Sequence, residues 1–505
     1  MLDRVKQVEL NCIINFLSCL SFLLFLSVSD LHGKSSIMFF TYLVFLYVTR
    51  ILVDSIDFSE LDSIPNINSF EVAVHNSKTF ERALGLVSSS STADNTVYIP
   101  KNSIYYFANS TIYDLREVSI QIDGEVRFSN HVDKYPSEGS GRWSLWHFIG
   151  CESISVFGNG ILNGQGQLWW RLAYLGIDNR PLLLKFEESR NIEVFGIHLM
   201  DSPNWSLSLR DCANVVIHDM SIFIDDEIMR ILNVSSITYA LNTDGIDIQA
   251  TNVTIYNANI TNYDDAIVVK PCRSTWKYCT CSGKVEAYDN IVWYSTGLAI
   301  GSVPPHPDTN CVSDVVFRDT TMYYPLKALY IKSNPGDDGT GIIKDIVYDN
   351  IYINGSLWWT IWVGPQQQNQ PNDGDDGTGC SFLFPFLNSN CPTNSLVTFD
   401  DITFKNILAE NTVPLYEGPG VFLCDADNPC TNFWFENVTN TMFDGNWNDV
   451  VDRLPIKVPG WIFPTRFRND DWKFEYLTAN VFGYEDAGSV IPSVCLDDSC
   501  FWSSE

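Results

Sequence analysis

From about residue 65 to residue 480, apolar side chains alternate with polar ones in short runs, the period-two signature of half-buried strands. A motif of the form Asn/Asp–aliphatic–x–aliphatic opens many of these runs: Asn191-Ile192-Glu193-Val194, Asn214-Val215-Val216-Ile217 and Asn252-Val253-Thr254-Ile255. It returns at Asn290-Ile291, Asp314-Val315, Asp345-Ile346 and Asp401-Ile402. Asn191 and Asn214 lie 23 residues apart, and longer intervals hold insertions. A repeat of roughly 20–30 residues with several short strands marks a solenoid, with aliphatic residues inside and Asn, Asp or Gly at the corners. No helical period is read after residue 60. The expected fold class is all-β: a single-domain parallel β-helix over residues 65–480, in preference to a sandwich of irregular hairpins. A solenoid exposes an edge at its end. Residues 481–505, with the short Cys495/Cys500 loop, are therefore expected to cap the last coil or pack beside it.

Two apolar stretches precede this body, Cys12–Val28 and Ile37–Val53. Either can serve as the core of a signal peptide, and either is marginal for a membrane span of about 20 residues. Arg4 and Lys6 supply the positive flank of the first, and Met38 offers a second start. Residues 1–55 are expected to be a signal peptide, or alternatively an uncleaved membrane anchor, so that the body is secreted or extracellular. Seven N-x-S/T sequons, at Asn109, Asn204, Asn233, Asn252, Asn259, Asn354 and Asn437, agree with export. Of 14 cysteines, two fall in the leader and twelve remain, an even number suited to disulfides. The group Cys272, Cys279 and Cys281 has the density of a zinc site, but no histidine stands near it, and an oxidising compartment favours disulfides.

The charge excludes one class of partner. Lys and Arg total 31 against 61 Asp and Glu, a net charge of −30, which leaves no excess of cations to neutralise nucleic-acid phosphates. A polyanionic substrate needs local cations, so each Lys or Arg near clustered acids matters. One such cluster exists: Asp244 in LNTDGID and the pair Asp264-Asp265 in YDDAIVV are about one coil apart. Coils stack roughly 4.7–4.9 Å apart, so the three carboxyls land side by side. Crowded carboxyls raise one another's pKa, and one can hold a proton while a neighbour is ionised, the division of labour that glycosidic hydrolysis requires.

In order and approximate spacing, Asn242-Thr243-Asp244-Gly245, Asp264-Asp265, Gly297–Ser302 and Ile331-Lys332 resemble the motifs of family 28 glycoside hydrolases, the polygalacturonase family. Upstream, Gly158-Asn159-Gly160, Asn163–Gly166 with Trp169-Trp170, and Asp201–Trp205 are similar to its earlier segments. The resemblance spans about residues 65–440. It implies a right-handed β-helix and an inverting hydrolase that uses no metal or organic cofactor. Asp264 would be the general acid, with Asp244 and Asp265 activating water. Inversion implies acid and base carboxyls about 6.5–9.5 Å apart. Asp247 would support the turn, and Asn242 would bind substrate or a catalytic neighbour. Lys332, Lys270, Tyr330 and Thr296 complete the expected substrate contacts.

Two departures bear on specificity. Thr296 stands where the family has histidine, and Tyr330 replaces the arginine of Arg-Ile-Lys. Arginine forks onto a carboxylate, whereas tyrosine offers one neutral hydroxyl and a ring face. Arg273 and Lys277, in the insertion Pro271–Lys284, read as surface cations. Trp276, Trp358 and Trp359 are able to stack on sugars or to seal loops, and Gln366–Gln368 to line a subsite. The expected partner is an acidic, pectin-like polysaccharide bound by a monomer. Other acidic glycans, rhamnogalacturonan, xylogalacturonan or algal, are alternatives, as is a catalytically silent polysaccharide-binding β-helix.

Overall fold

The computed structural model describes residues 55–88, 95–136, 139–225, 240–368, 380–381, 391–412, 418–443 and 474–497. All of the expected leader except Ser55 therefore lies outside the described residues. One continuous sheet of 29 strands winds through them, and it is a right-handed parallel β-helix. It begins at Ser55–Asp57 and ends at Val490–Ile491, beyond the 65–480 span read from the pattern. Residues 481–491 do more than cap: Val481–Glu485 and Val490–Ile491 pair in parallel with Cys430–Met442 and add a further coil. Cys495 is disulfide-bonded, and Cys500 lies outside the described residues.

The corner residues explain how one strand covers two faces. Asn191, Asn214, Asn252, Asp314, Asp345, Asp401 and Asn432 all have φ between 53 and 58°, the left-handed region that Asn and Asp tolerate best. Neighbouring corners are tied by side-chain amides, Asn214 to Asn191 at 2.9 Å and Asn252 to Asn214 at 2.8 Å. A second corner runs through Asp219, Asn257, Asp289, Asp319, Asn350, Asn406 and Asn437. Asn290-Ile291 belongs to this second corner; at the first corner of the same coil stands Lys284, with φ 52°.

Between corners, alternation drives burial. Ile217, Ile255, Ala287, Phe317, Tyr348, Phe404 and Phe435 occupy one register, coil after coil, and all are buried. Their rings stack at 5.1–5.3 Å from Phe317 to Phe435. Each fully buried Phe is worth about 1.5–3 kcal/mol of hydrophobic stabilisation.

Two helices contradict the expectation of none. Helix α1, Phe70–Ser88, buries Ala73, Asn76, Ser77, Phe80, Ala83, Leu84 and Val87, an i, i+3, i+4, i+7 stripe. That stripe covers the open N-terminal end of the coil: Phe80 lies flat on Trp146 at 4.8 Å, and Asn76 bonds the Ile64 and Tyr106 carbonyls at 2.9 and 3.0 Å. Helix α2, Gln167–Tyr174, follows the Asn163–Gly166 turn.

The cysteines form disulfides where their loops project. Cys272–Cys279 closes the insertion, Cys281–Cys311 ties it to the next coil, and Cys380–Cys391 and Cys424–Cys430 clip two further loops. Cys151 and Cys212 depart from the expected full pairing: both are buried free thiols, each packed as an interior hydrophobe. No helix among the described residues is long and apolar enough to cross a membrane.

Candidate active site

Parallel pairing converts sequence distance into contact. Ser206 N–H donates to the Asp244 carbonyl (2.8 Å), Gly245 N–H to that of Asp265 (2.8 Å), and Thr296 N–H to that of Asp264 (2.8 Å). Asp244, Asp265 and Thr296 thus sit in consecutive coils at the mouth of the strands that begin at Ile246, Ile267 and Leu298. Gly297 permits the approach: it has φ +96°, and a Cβ there would lie 2.1 Å from the Ala328 carbonyl oxygen.

One oxygen from each of Asp244, Asp264 and Asp265 lies within 4.8 Å of the others. This is shorter than the 6.5–9.5 Å expected of an inverting pair. Asp264 and Asp265 are neighbours in the chain, and Asp244 lies one coil away, where the coil spacing fixes how far apart equivalent positions can be. Two hydrogen bonds of about 2.8 Å at a tetrahedral water put their acceptors about 4.5 Å apart. The cluster therefore has room for one water shared by two carboxyls.

The three acids are held differently. Burial alone would push Asp265 up, but Lys332 and Lys270 together with hydrogen bonds from Lys332 and Thr296 overcome it and hold the carboxyl below its usual range. Lys332 Nζ is 2.6 Å from Asp265 Oδ2, with both side chains buried, and Thr296 Oγ1 donates to Oδ1 at 2.6 Å. Asp264, partly exposed, is raised by burial and by the charge of Asp265. Its carboxylate accepts the Asn242 N–H at 2.9 Å and the Asp265 N–H at 2.9 Å. Asp244 is pushed well up by burial and by Asp264 and Asp247. Asp247 is raised to about 7 by burial, against the pull of Lys270.

The expected substrate contacts separate on inspection. Lys332 is committed to Asp265. Lys270 Nζ lies 3.2 Å from Asp247 and 3.8 Å from Asp244, over the ring of Trp205 at 4.6 Å. Thr296 touches both members of the acid pair, 2.6 Å from Asp265 and 3.4 Å from Asp264. Tyr330 is buried, and its hydroxyl donates to the Gln367 carbonyl at 3.2 Å and accepts the Gln367 N–H at 2.8 Å. Its ring belongs to an apolar cluster with Trp358, Trp359 and Trp362. Trp358 and Trp359 are buried, at 2% and 0% exposure, so neither offers a ring face to a sugar, and Gln366 is engaged by the Ser302 hydroxyl. Asn242 presents its backbone to Asp264 while its side-chain oxygen accepts from Arg180 Nη2 at 3.0 Å.

Arg180 and Lys327 were not singled out in the sequence. Arg180 is buried, forks onto Asp178 at 2.8 Å through both Nε and Nη2, and bonds the Leu241 carbonyl. It thus fixes the turn that aims the Asn242 N–H at Asp264. Lys327 lies between the rings of Tyr330 (4.7 Å) and Trp358 (4.9 Å), and burial together with Lys332 lowers its pKa to about 7. Neither sits in a recognisable motif; the only signal was that each is a cation in an apolar or loop setting. The insertion is anchored by Asp211, whose carboxylate accepts N–H groups from Lys277, Tyr278 and Cys279 at 2.8–2.9 Å. The three aspartates could also ligate a cation, although Lys332 and Lys270 already balance much of their charge.

Residues 89–381, more than half of the chain, match glycosyl hydrolases family 28. The chain belongs to this family. It is a glycoside hydrolase of O-glycosyl bonds. Among its family 28 relatives, an exopolygalacturonase of Cochliobolus carbonum is 24% identical over 344 residues, covering 64% of this chain and 69% of that protein. Endo-xylogalacturonan hydrolase A of Aspergillus tubingensis is 29% identical over 271 residues, covering 52% of this chain and 61% of its own length. The crystal structure of the Aspergillus tubingensis endo-xylogalacturonan hydrolase superposes with a TM-score of 0.53 at 20% identity, over 71% of this chain and 87% of the other. An exopolygalacturonase of Thermotoga maritima gives 0.51 at 16% identity, over 77% and 87%. These superpositions concern the fold of family 28.

Proposed function

We propose that this family 28 enzyme is exported and hydrolyses pectin-like, uronate-containing polysaccharide with inversion. Asp264 acts as general acid, and Asp265 is the ionised base that, with Asp244, orients the attacking water. The observation that carries this reading is the asymmetry within an adjacent pair: Lys332 and Thr296 bond Asp265, while Asp264 receives two backbone N–H groups and is still raised by burial and by its neighbour's charge. A proton donor and a proton acceptor thereby coexist within one water's reach. In the step itself, Asp264 gives its proton to the leaving glycosidic oxygen as that bond breaks. Water attacks the anomeric carbon from the opposite face and loses its proton to Asp265. The names of the relatives, polygalacturonase and xylogalacturonan hydrolase, support a galacturonan-type backbone.

Recognition of the uronate differs from an arginine fork. Position 330 offers no free hydroxyl, and Lys332 and Lys270 are paired with the site's own acids. Loss of a bidentate contact favours a substrate held by several weaker contacts along the cleft. The test is incubation with polygalacturonate, xylogalacturonan and rhamnogalacturonan, following reducing ends and the anomer formed by NMR. New reducing ends with inverted configuration are expected, and Asp264→Asn is expected to abolish them without loss of fold. Unsaturated products, a retained anomer or full activity in Asp264→Asn would each overturn the assignment.

A further inference from the structure

We infer a second saccharide site, for neutral pyranose units, on the face of the coil between the two Asn/Asp corners and near its C-terminal end. A groove of about 720 Å³ opens there, lined by Trp434 and Tyr484 and rimmed by Lys344, Asp345, Asp400 and Asp401. The aspartates of the catalytic cluster precede the first corner, on different strands, so the two sites do not share residues.

The aromatic geometry suits a sugar face. Trp434 and Tyr484 stand in register on the last two coils, centroids 4.4 Å apart, and are 42% and 49% exposed. The two adjoining rings make a contiguous apolar surface rather than singly scattered residues, and contiguous patches are the ones that mark interaction sites. Tyr484 covers one side of the indole. On the other side, the same register holds only Thr403 and, one coil further, Val347. These short side chains leave a shelf beside the indole face, where the C–H side of a pyranose ring can stack.

The rim decides the kind of sugar. Asp400 accepts Thr431 Oγ1 and Asn432 Nδ2, both at 2.7 Å and both on Oδ1, which leaves Oδ2 to accept from a sugar hydroxyl. Asp401 is exposed at its corner, and Lys344 is paired with Asp345 at 3.4 Å. Three carboxylates against one ammonium repel a uronate and favour hydroxyl donors, so the ligand is a neutral glycan such as a xylose or galactose chain. In an enzyme acting on wall-type polysaccharide, a reading on which this role rests, such a site would hold neutral side chains while the aspartate cluster works on the acidic backbone.

The experiment uses the full chain with Asp264→Asn, titrated calorimetrically with xylo-oligosaccharide, galacto-oligosaccharide and oligogalacturonate. Saturable binding of at least one neutral saccharide is expected, reduced at least tenfold by added Trp434→Ala, partly restored by Trp434→Phe, and not competed by oligogalacturonate. In the catalytically intact background, Trp434→Ala is expected to leave turnover of short soluble substrates unchanged. Absence of neutral-sugar binding, binding indifferent to Trp434→Ala, or competition by oligogalacturonate would each overturn the second site. None of these results bears on whether Asp264 is the acid.

Discussion

Replacing Lys332 by methionine isolates the group that keeps Asp265 ionised. The two charges are 2.6 Å apart, at 6% and 1% side-chain exposure, so solvent screens them little. At an effective dielectric of about 20, their gross attraction is about 6 kcal/mol, offset by the desolvation of both. Removing one member of a buried pair typically costs about 3–5 kcal/mol, because the other is left uncompensated. Asp265 then loses its principal opposing charge, and burial pushes its carboxyl upward. One pKa unit corresponds to about 1.36 kcal/mol, so losing even a third of the gross attraction moves the titration by more than one pH unit. The sign follows: wild-type Asp265 is depressed, so the base proposed above stays ionised down to acid pH, whereas in Lys332→Met the acid limb of the kcat profile is expected to shift upward. The assay is kcat against pH on the preferred polysaccharide, with Lys332→Arg as the charge-preserving control and Tm recorded for each variant. An acid limb unmoved in Lys332→Met would refute the view that Lys332 sets the state of the base.

Arg180→Ala should release the turn at Leu241–Asn242 and lower kcat about 10–100-fold with little change in KM, since a group aimed at the transition state is displaced; an unchanged kcat would refute its positioning role. Asp247, raised to about 7 by burial despite Lys270, binds its proton more tightly in the folded than in the unfolded chain. The stability linked to it is present below about pH 4 and lost as pH rises towards 7, so Tm should fall from pH 5 to pH 8, and Asp247→Asn should flatten that fall. Breaking Cys281–Cys311, which closes a separation of 30 residues, should cost about 3–4 kcal/mol by loop entropy, read as a lowered denaturation midpoint.

The sequence alone determined the repeat and the aspartate trio. Both depend on local rules: strand alternation has period two, left-handed corners select Asn and Asp, and the acids fall one coil apart. These rules turned Asn191, Asn214 and Asn252 into stacked corners and brought Asp244 beside Asp264 and Asp265. The stripe of α1 was also legible, at Ala73, Phe80, Ala83 and Val87, but the alternation that follows masked it. What only the tertiary structure decided was which partner each charge takes. Lys332 could have faced substrate, yet it lies 67 residues from Asp265 in sequence and 2.6 Å from it in space. Arg180 reaches 61 residues forward to the Leu241 carbonyl, and Tyr330 turns its hydroxyl to Gln367. No spacing encodes such choices: coil register fixes which backbones adjoin, whereas burial and the competition among charges fix which side chains pair.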